Sequence, residues 1–295
     1  MATTKIQAAP QTAKRSFSAG SVISAIGRWI VRNRIYLIAF AIPAVLTYLA
    51  YALFGLYPFG EESVLCLDLN GQYVYYFEAL RDAFWGDGSI FYNWSRNLSG
   101  EFMGIIGYYL ASPFTLIVML LPEKFMLSSL LIMQLCKLGA AGATFNYFLQ
   151  KRRGVQPYPS LLFSTMYAMM AYGVIQLIDP MWLDGLVFLP LIMLGIEYLV
   201  DDGRRLNFII PLALMCVANF YIGYMICFFV ILYFLFYLCF GSDKKRKGYD
   251  YFTAFVRIAY SSVIALACAA FMLLPVYNAL KLGKFEFTDP DYSFR

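Results

Sequence analysis

Apolar runs alternate with short polar segments along the whole chain. The runs lie at about 35–56, 126–149, 159–178, 184–200, 207–240 and 253–275. A run of near twenty apolar residues is the length of helix that crosses a bilayer core. The run 207–240 is too long for one crossing and has basic residues at both ends, so it reads as two helices turning near Asn219-Phe220-Tyr221-Ile222-Gly223. The pattern predicts an all-α, polytopic helical membrane protein with about seven transmembrane helices. One stretch breaks it. From Pro58 to Gly104, between the first two runs, the chain is polar, acidic and rich in aromatic residues. Inside that loop Val74–Trp85 reads as an amphipathic helix lying along the bilayer surface, with Tyr75, Tyr76, Ala79, Leu80 and Ala83 on one side and Glu78, Arg81 and Asp82 polar. Ile105 to Leu121 is apolar, but it is short and interrupted by Ser112-Pro113. It is expected to be re-entrant or interfacial.

Charge sets the expected orientation. Short loops rich in Lys and Arg stay in the cytoplasm. Four such segments occur: the N-terminus, Lys151-Arg152-Arg153, Arg204-Arg205 and Lys244-Lys245-Arg246-Lys247. With all four inside, residues 1–34 form a cytoplasmic basic tail. Residues 35–280 form the transmembrane domain, with an extracytoplasmic first loop over 58–125, and 281–295 form an outer tail. A full crossing by 105–121 would put Lys151 outside, which is why a re-entrant form is expected. The polar loop, Asp179, Asp184, the Asn219 turn and Asn278 then share one outer surface.

Composition narrows the chemistry. The chain is 61% hydrophobic, and its net charge of +5 reads as topology rather than nucleic-acid binding. It has no histidine, which excludes His catalysis and His metal ligation. Of the six cysteines, Cys136, Cys216, Cys227, Cys239 and Cys268 lie in apolar runs and read as small buried hydrophobes, while Cys66 sits in the loop. No zinc spacing is present, and no metal is indicated. Residues 1–21 are small and polar and read as disordered. Asn93-Trp94-Ser95 and Asn97-Leu98-Ser99 match a glycosylation pattern that carries no meaning in a bacterial protein.

Few residues could carry a reaction. Asp68 follows the first span and sits between leucines. A partly desolvated carboxylate there suits a general base, although it could equally cap the helix beginning near Gln72. Asp184 opens the run 184–200, where acids favour helix N-termini, and Asp179 before a proline could simply end a helix. Lys137 sits mid-span, one turn from Gln134. Ionisable groups there face a bundle interior or cavity, so Lys137 could bind a lipid-linked phosphate or pair with an acid such as Glu197. Glu197 itself reads as a solvated rim residue. Gly139 and Gly142 form a small-residue packing face.

The stretches Asp68-Leu69-Asn70-Gly71-Gln72-Tyr73, Gly107-Tyr108-Tyr109-Leu110-Ala111-Ser112-Pro113-Phe114, Met181-Trp182-Leu183-Asp184 and Asn219-Phe220-Tyr221-Ile222-Gly223-Tyr224-Met225 resemble the YfhO family of bacterial membrane proteins, over roughly 30 to 280. The resemblance implies a GT-C-like glycosyltransferase. Such an enzyme moves a sugar from a polyprenyl-phosphate donor to a cell-wall polymer, such as lipoteichoic acid, or a glycolipid acceptor on the outer face. It implies Asp68 as catalytic base and helix 74–85 as a juxtamembrane element. Gln72, Lys137, Asp184, Asn219 and Tyr221 become substrate-binding candidates. Some relatives use a divalent metal at the acid. Family members are longer, so the chain resembles an N-terminal fragment or truncated member. A transporter or flippase of a lipid-linked substrate, and a non-catalytic membrane scaffold, are the competing readings.

Overall fold

A computed structural model describes residues 19–94, 100–242 and 247–283. Residues 1–18 of the expected N-terminal tail, 284–295 of the expected outer tail, positions 95–99 of the two Asn-X-Ser patterns and the basic residues Lys244, Lys245 and Arg246 lie outside the described residues, while residues 19–34, expected as tail, are already helical. The fold is all-α apart from one small hairpin. Its helices are α1 (Ala19–Leu53), α2 (Val74–Trp85), α3 (Met103–Ile105), α4 (Thr115–Leu120), α5 (Met126–Arg152), α6 (Pro157–Ala168), α7 (Ala171–Ile175), α8 (Leu183–Asp202), α9 (Leu206–Ala218), α10 (Phe220–Phe236) and α11 (Gly248–Gly283). Strands β1 (Tyr92–Asn93) and β2 (Gly100–Glu101) pair antiparallel.

Among the described residues five helices are long and apolar enough to cross a membrane: Ile23–Leu53, Glu123–Arg152, Pro180–Asp202, Phe220–Gly241 and Gly248–Lys281. The protein is a multi-pass helical membrane protein. Two of the expected spans differ from their prediction. The run 159–178 is divided into α6 and α7, and the turns between α7 and α8 are bonded by side chains of α5. Gln134 Nε2 donates to Leu177 O at 2.6 Å and Lys137 Nζ to Pro180 O at 2.8 Å. Helix α9 has 13 residues, about 20 Å at 1.5 Å per residue, short of a hydrocarbon core of roughly 30 Å. It ends at Asn219, whose side chain accepts from Ile222 N at 2.8 Å and caps α10.

Helix α8 is the most enclosed of the long helices, and α1 and α11 are the least. The small-residue face on α5 meets α1. A Cβ on Gly142 would fall 2.6 Å from Ala39 O, so only glycine permits that approach. One apolar core joins α8, α9, α10 and α11 through Ile192, Phe208, Met215, Val230 and Ala265. A second lies beneath the loop and contains Leu69, Tyr73, Phe77, Phe102, Leu110, Val118 and Met181.

That second core corrects the predicted face of α2. Its bounds are those expected, but the buried stripe is Leu69, Tyr73, Phe77 and Leu80, spaced three and four residues apart, while Tyr75 is 60% exposed. The deciding partners, Phe102, Leu110 and Val118, are remote in sequence. Arg81 bonds the carbonyls of Val118 (2.6 Å), Met119 (3.2 Å) and Leu121, and Trp85 Nε1 donates to Met119 O at 3.1 Å. A cation thus closes the C-terminal carbonyls of α4. The 105–121 segment is broken as expected. Helix α3 continues as a π-turn to Leu110, the chain bends at 111–114, and α4 follows. Neither piece is long enough to cross.

The cysteines are all free. Cys216 is buried, Cys136 and Cys227 are half-buried, and Cys239 and Cys268, expected to be buried, are exposed on the apolar flanks of the bundle.

Candidate functional site

Two polar assemblies sit at opposite ends of the bundle. At the end where α5 and α8 finish, Glu197 is fully buried, contrary to the solvated rim expected for it. It accepts from Arg152 Nε at 2.9 Å and from Arg153 and Tyr233. Arg152 also reaches Asp201 and the Tyr237 hydroxyl (2.6 Å), and Ser242 Oγ donates to Asp201 at 2.8 Å. These groups are mutually satisfied and tie α5, α8 and α10 together.

The other end gathers the loop residues. Asp68 follows Leu67, which has a left-handed φ of 49°. A leucine there costs roughly 1–2 kcal/mol, and Leu67 O receives the amides of Asn70 (3.2 Å) and Gly71 (2.9 Å). This turn presents Asp68 to the exterior. Asp68 is exposed, not partly desolvated between its leucines as expected, because Leu67 itself points outward and is 75% exposed. It makes no capping bond. Its Oδ1 instead accepts from Gln72 Nε2 at 3.3 Å, and Gln72 Oε1 accepts from the Tyr109 hydroxyl at 3.4 Å.

Asp179 comes to the same place from the turn before α8. It is close enough to Asp68 for the two charges to interact. Burial pushes its carboxyl above the ordinary value, the neighbouring Tyr73 hydroxyl opposes that, and the Asp68 charge adds to it. The Tyr73 ring is 1% exposed, and its hydroxyl and Asp179 Oδ1 are both enclosed and lie outside strict hydrogen-bond geometry with any neighbour. Burial, then the Asp179 charge, drive the Tyr73 hydroxyl far up. Burial first, then Tyr76, Tyr108 and Asp68, push Tyr109 up to about 12, so it remains a proton donor.

Aromatic rings wall this spot. Tyr109 packs on Tyr73 (5.1 Å between centroids), Tyr76 (5.0 Å) and Tyr108 (4.7 Å). Tyr108 continues to Trp182 (5.9 Å) and Tyr221 (6.1 Å). Buried polar residues hold the wall from behind. Asn219 Nδ2 donates to Tyr108 O at 2.8 Å. Lys137 Nζ donates to Asp184 Oδ2 and to Pro180 O, both at 2.8 Å, and Ser112 Oγ donates to Asp184 Oδ1 at 2.8 Å. Lys137 therefore pairs with Asp184 rather than Glu197, and both side chains of the pair are buried.

Of the six residues singled out in the sequence, Asp68, Gln72 and Tyr221 sit on the open side. Asn219, Lys137 and Asp184 are enclosed and bond the backbone that carries the rings. Sequence reading placed Asp179 on the same outer surface as the loop but gave it no role beyond ending a helix, and it assigned no role to Tyr73, Tyr108, Tyr109 or Trp182. The signal available was the recurrence of Tyr-Tyr and Trp inside the quoted stretches. Asp68 and Asp179 are oxygen donors of the kind a Mg²⁺-type ion takes, one or two carboxylates with substrate phosphate completing the shell. A larger protein cage is absent: among the described residues no three His, Cys, Asp or Glu side chains gather.

A family model described as bacterial membrane protein YfhO matches residues 39–294. A protein of Bacillus subtilis (strain 168) named "Uncharacterized protein YfhO" is 27% identical over 168 residues, half of this chain and 19% of that protein's length. No solved structure matches.

Proposed function

We propose, for a chain that belongs to the YfhO family of bacterial membrane proteins, that it takes part in transferring a sugar from a polyprenyl-phosphate donor to a cell-envelope acceptor on the outer face of the cell membrane. The acceptor is a cell-wall polymer such as a teichoic acid, or a glycolipid. The observation that carries this reading is the exposed Asp68, linked through Gln72 to Tyr109 and set beside Asp179 at one end of the bundle. The basic residues 151–153 and 204–205 lie at the opposite end, which agrees with a cytoplasmic placement there.

In the step proposed, Asp68 takes the proton of an acceptor hydroxyl. The acceptor oxygen bonds the anomeric carbon, the anomeric carbon–oxygen bond to phosphate breaks, and the polyprenyl phosphate leaves with the electron pair. A divalent ion held by Asp68 and Asp179 would compensate the phosphate charge. Lys137, neutralised by Asp184, acts as a positioning residue for the 179–182 turn rather than as a phosphate ligand.

The test is transfer in lipid-reconstituted protein. Asp68→Asn removes the base and should lower the rate by about 10²–10⁴ with the fold intact. Unchanged transfer would remove Asp68 from the mechanism. Mass spectrometry of co-purified lipid should find a polyprenyl phosphate.

A further inference from the structure

We propose that the ring triangle Tyr108–Trp182–Tyr221 is a stacking subsite for a pyranose ring, with Asp179 and Gln72 as partners for its hydroxyls. The proposal deepens the transfer reading and rests on it only for the origin of the sugar.

The three rings meet edge to face. Centroids are 5.9 Å apart for Tyr108 and Trp182 at 85°, 5.6 Å for Trp182 and Tyr221 at 66°, and 6.1 Å for Tyr108 and Tyr221 at 63°. Tyr108 also packs on Phe220 at 5.5 Å, while the Tyr221 side chain remains 39% exposed and Trp182 half-buried, so the open part of the triangle is on those two rings. An aromatic face carries negative charge density. A pyranose offers it a face of polarised C–H groups and keeps its hydroxyls at the rim. The rim groups needed here are acceptors and amides, and Asp179 and Gln72 supply both.

The platform is also pre-organised. Tyr108 is fixed through its carbonyl by the buried Asn219, and Trp182 follows Pro180, whose carbonyl is fixed by the buried Lys137. Rings held this way lose little freedom when a ligand docks. The buried Tyr73 hydroxyl neighbours Asp179 and acts on its carboxylate. Aromatic rings at the headgroup level of a bilayer are common. Such a belt has no need of a carboxylate and an amide beside the rings, nor of buried bonds locking their backbone.

Trp182 makes the test direct, because the chain has four tryptophans. In full-length protein in lipid nanodiscs, Trp29→Phe, Trp85→Phe and Trp94→Phe leave Trp182 as the reporter. Methyl pyranosides and a soluble oligosaccharide form the acceptor-type arm, and a polyprenyl-phosphate sugar in the nanodisc forms the donor-type arm. The expected result is a saturable change in Trp182 emission in one arm, with none from sorbitol. Tyr221→Ala and Asp179→Asn should each weaken the response at least 10-fold, and Tyr221→Phe should preserve it. A response shared with sorbitol, no saturable response in either arm, or indifference to Tyr221→Ala would overturn the subsite, and continued transfer would then leave the transfer reading standing. Saturable binding in a parent protein that transfers nothing would sink the transfer reading and keep the subsite.

Discussion

Replacing Lys137 by methionine tests the energetic logic of the site's foundation. In the native protein the Lys137 ammonium bonds Asp184 and Pro180 O, and Ser112 supplies a further donor to Asp184. Lys137→Met keeps the stem volume but leaves Asp184 as a buried carboxylate with one hydroxyl partner and leaves Pro180 O without this donor. An uncompensated buried charge costs about 3–5 kcal/mol, while Pro180 O keeps the amide of Leu183 as a donor. The variant should lose about 3–5 kcal/mol. The double variant Lys137→Met/Asp184→Leu removes both charges and should recover most of that loss. The assay is unfolding by titrated SDS in mixed micelles, followed by tryptophan emission and circular dichroism. A Lys137→Met protein within about 1 kcal/mol of the parent, or a double variant no more stable than the single one, would refute the buried-pair argument.

Three further outcomes are expected. Glu197→Gln weakens the bonds from Arg152, Arg153 and Tyr233 and should destabilise the protein by about 3–5 kcal/mol in the same assay, with α10 gaining hydrogen exchange first. Asp179 has a folded pKa raised above its unfolded value, so the native state binds more protons and stability falls as pH rises from the unfolded carboxyl value through the folded one; Asp179→Asn should abolish that slope and be the more stable protein at neutral pH, and an unchanged profile would count against the assignment. Gly142→Leu places atoms where Ala39 O stands, 2.6 Å from the first added carbon; cysteines replacing Tyr36 and Tyr147, whose rings lie 5.5 Å apart, should be joined by a bifunctional thiol reagent in the parent and less readily in the variant.

Local pattern made some features legible. The turn at Asn219 could be read because basic residues at both ends of one long apolar run require two helices, and asparagine is a favoured cap. The bounds of α2 followed from its amphipathic pattern, and the break at Ser112-Pro113 from the proline. The face of α2 did not, because Phe77 turns inward only in the presence of Phe102 and Val118. The meeting of Asp179 with Asp68, and of Lys137 with Asp184, depends on how α5, α8 and the loop dock. No spacing rule reaches across that many residues. Glu197 was misplaced for the same reason: its depth is set by Arg152 and Arg153 of another helix.

Helices α5 and α8 are bolted to each other twice. Lys137 and Asp184 form one bolt, and Arg152 with Glu197 forms the other. At 1.5 Å per residue the two lie about 20 Å apart along the axes. Two fixed points that far apart forbid sliding and also forbid rocking, so this pair must travel as one body. A carrier that alternates its opening between the two faces of a membrane needs a hinge or shear plane, and it could not run between these helices. Any such plane would have to pass outside this pair of helices.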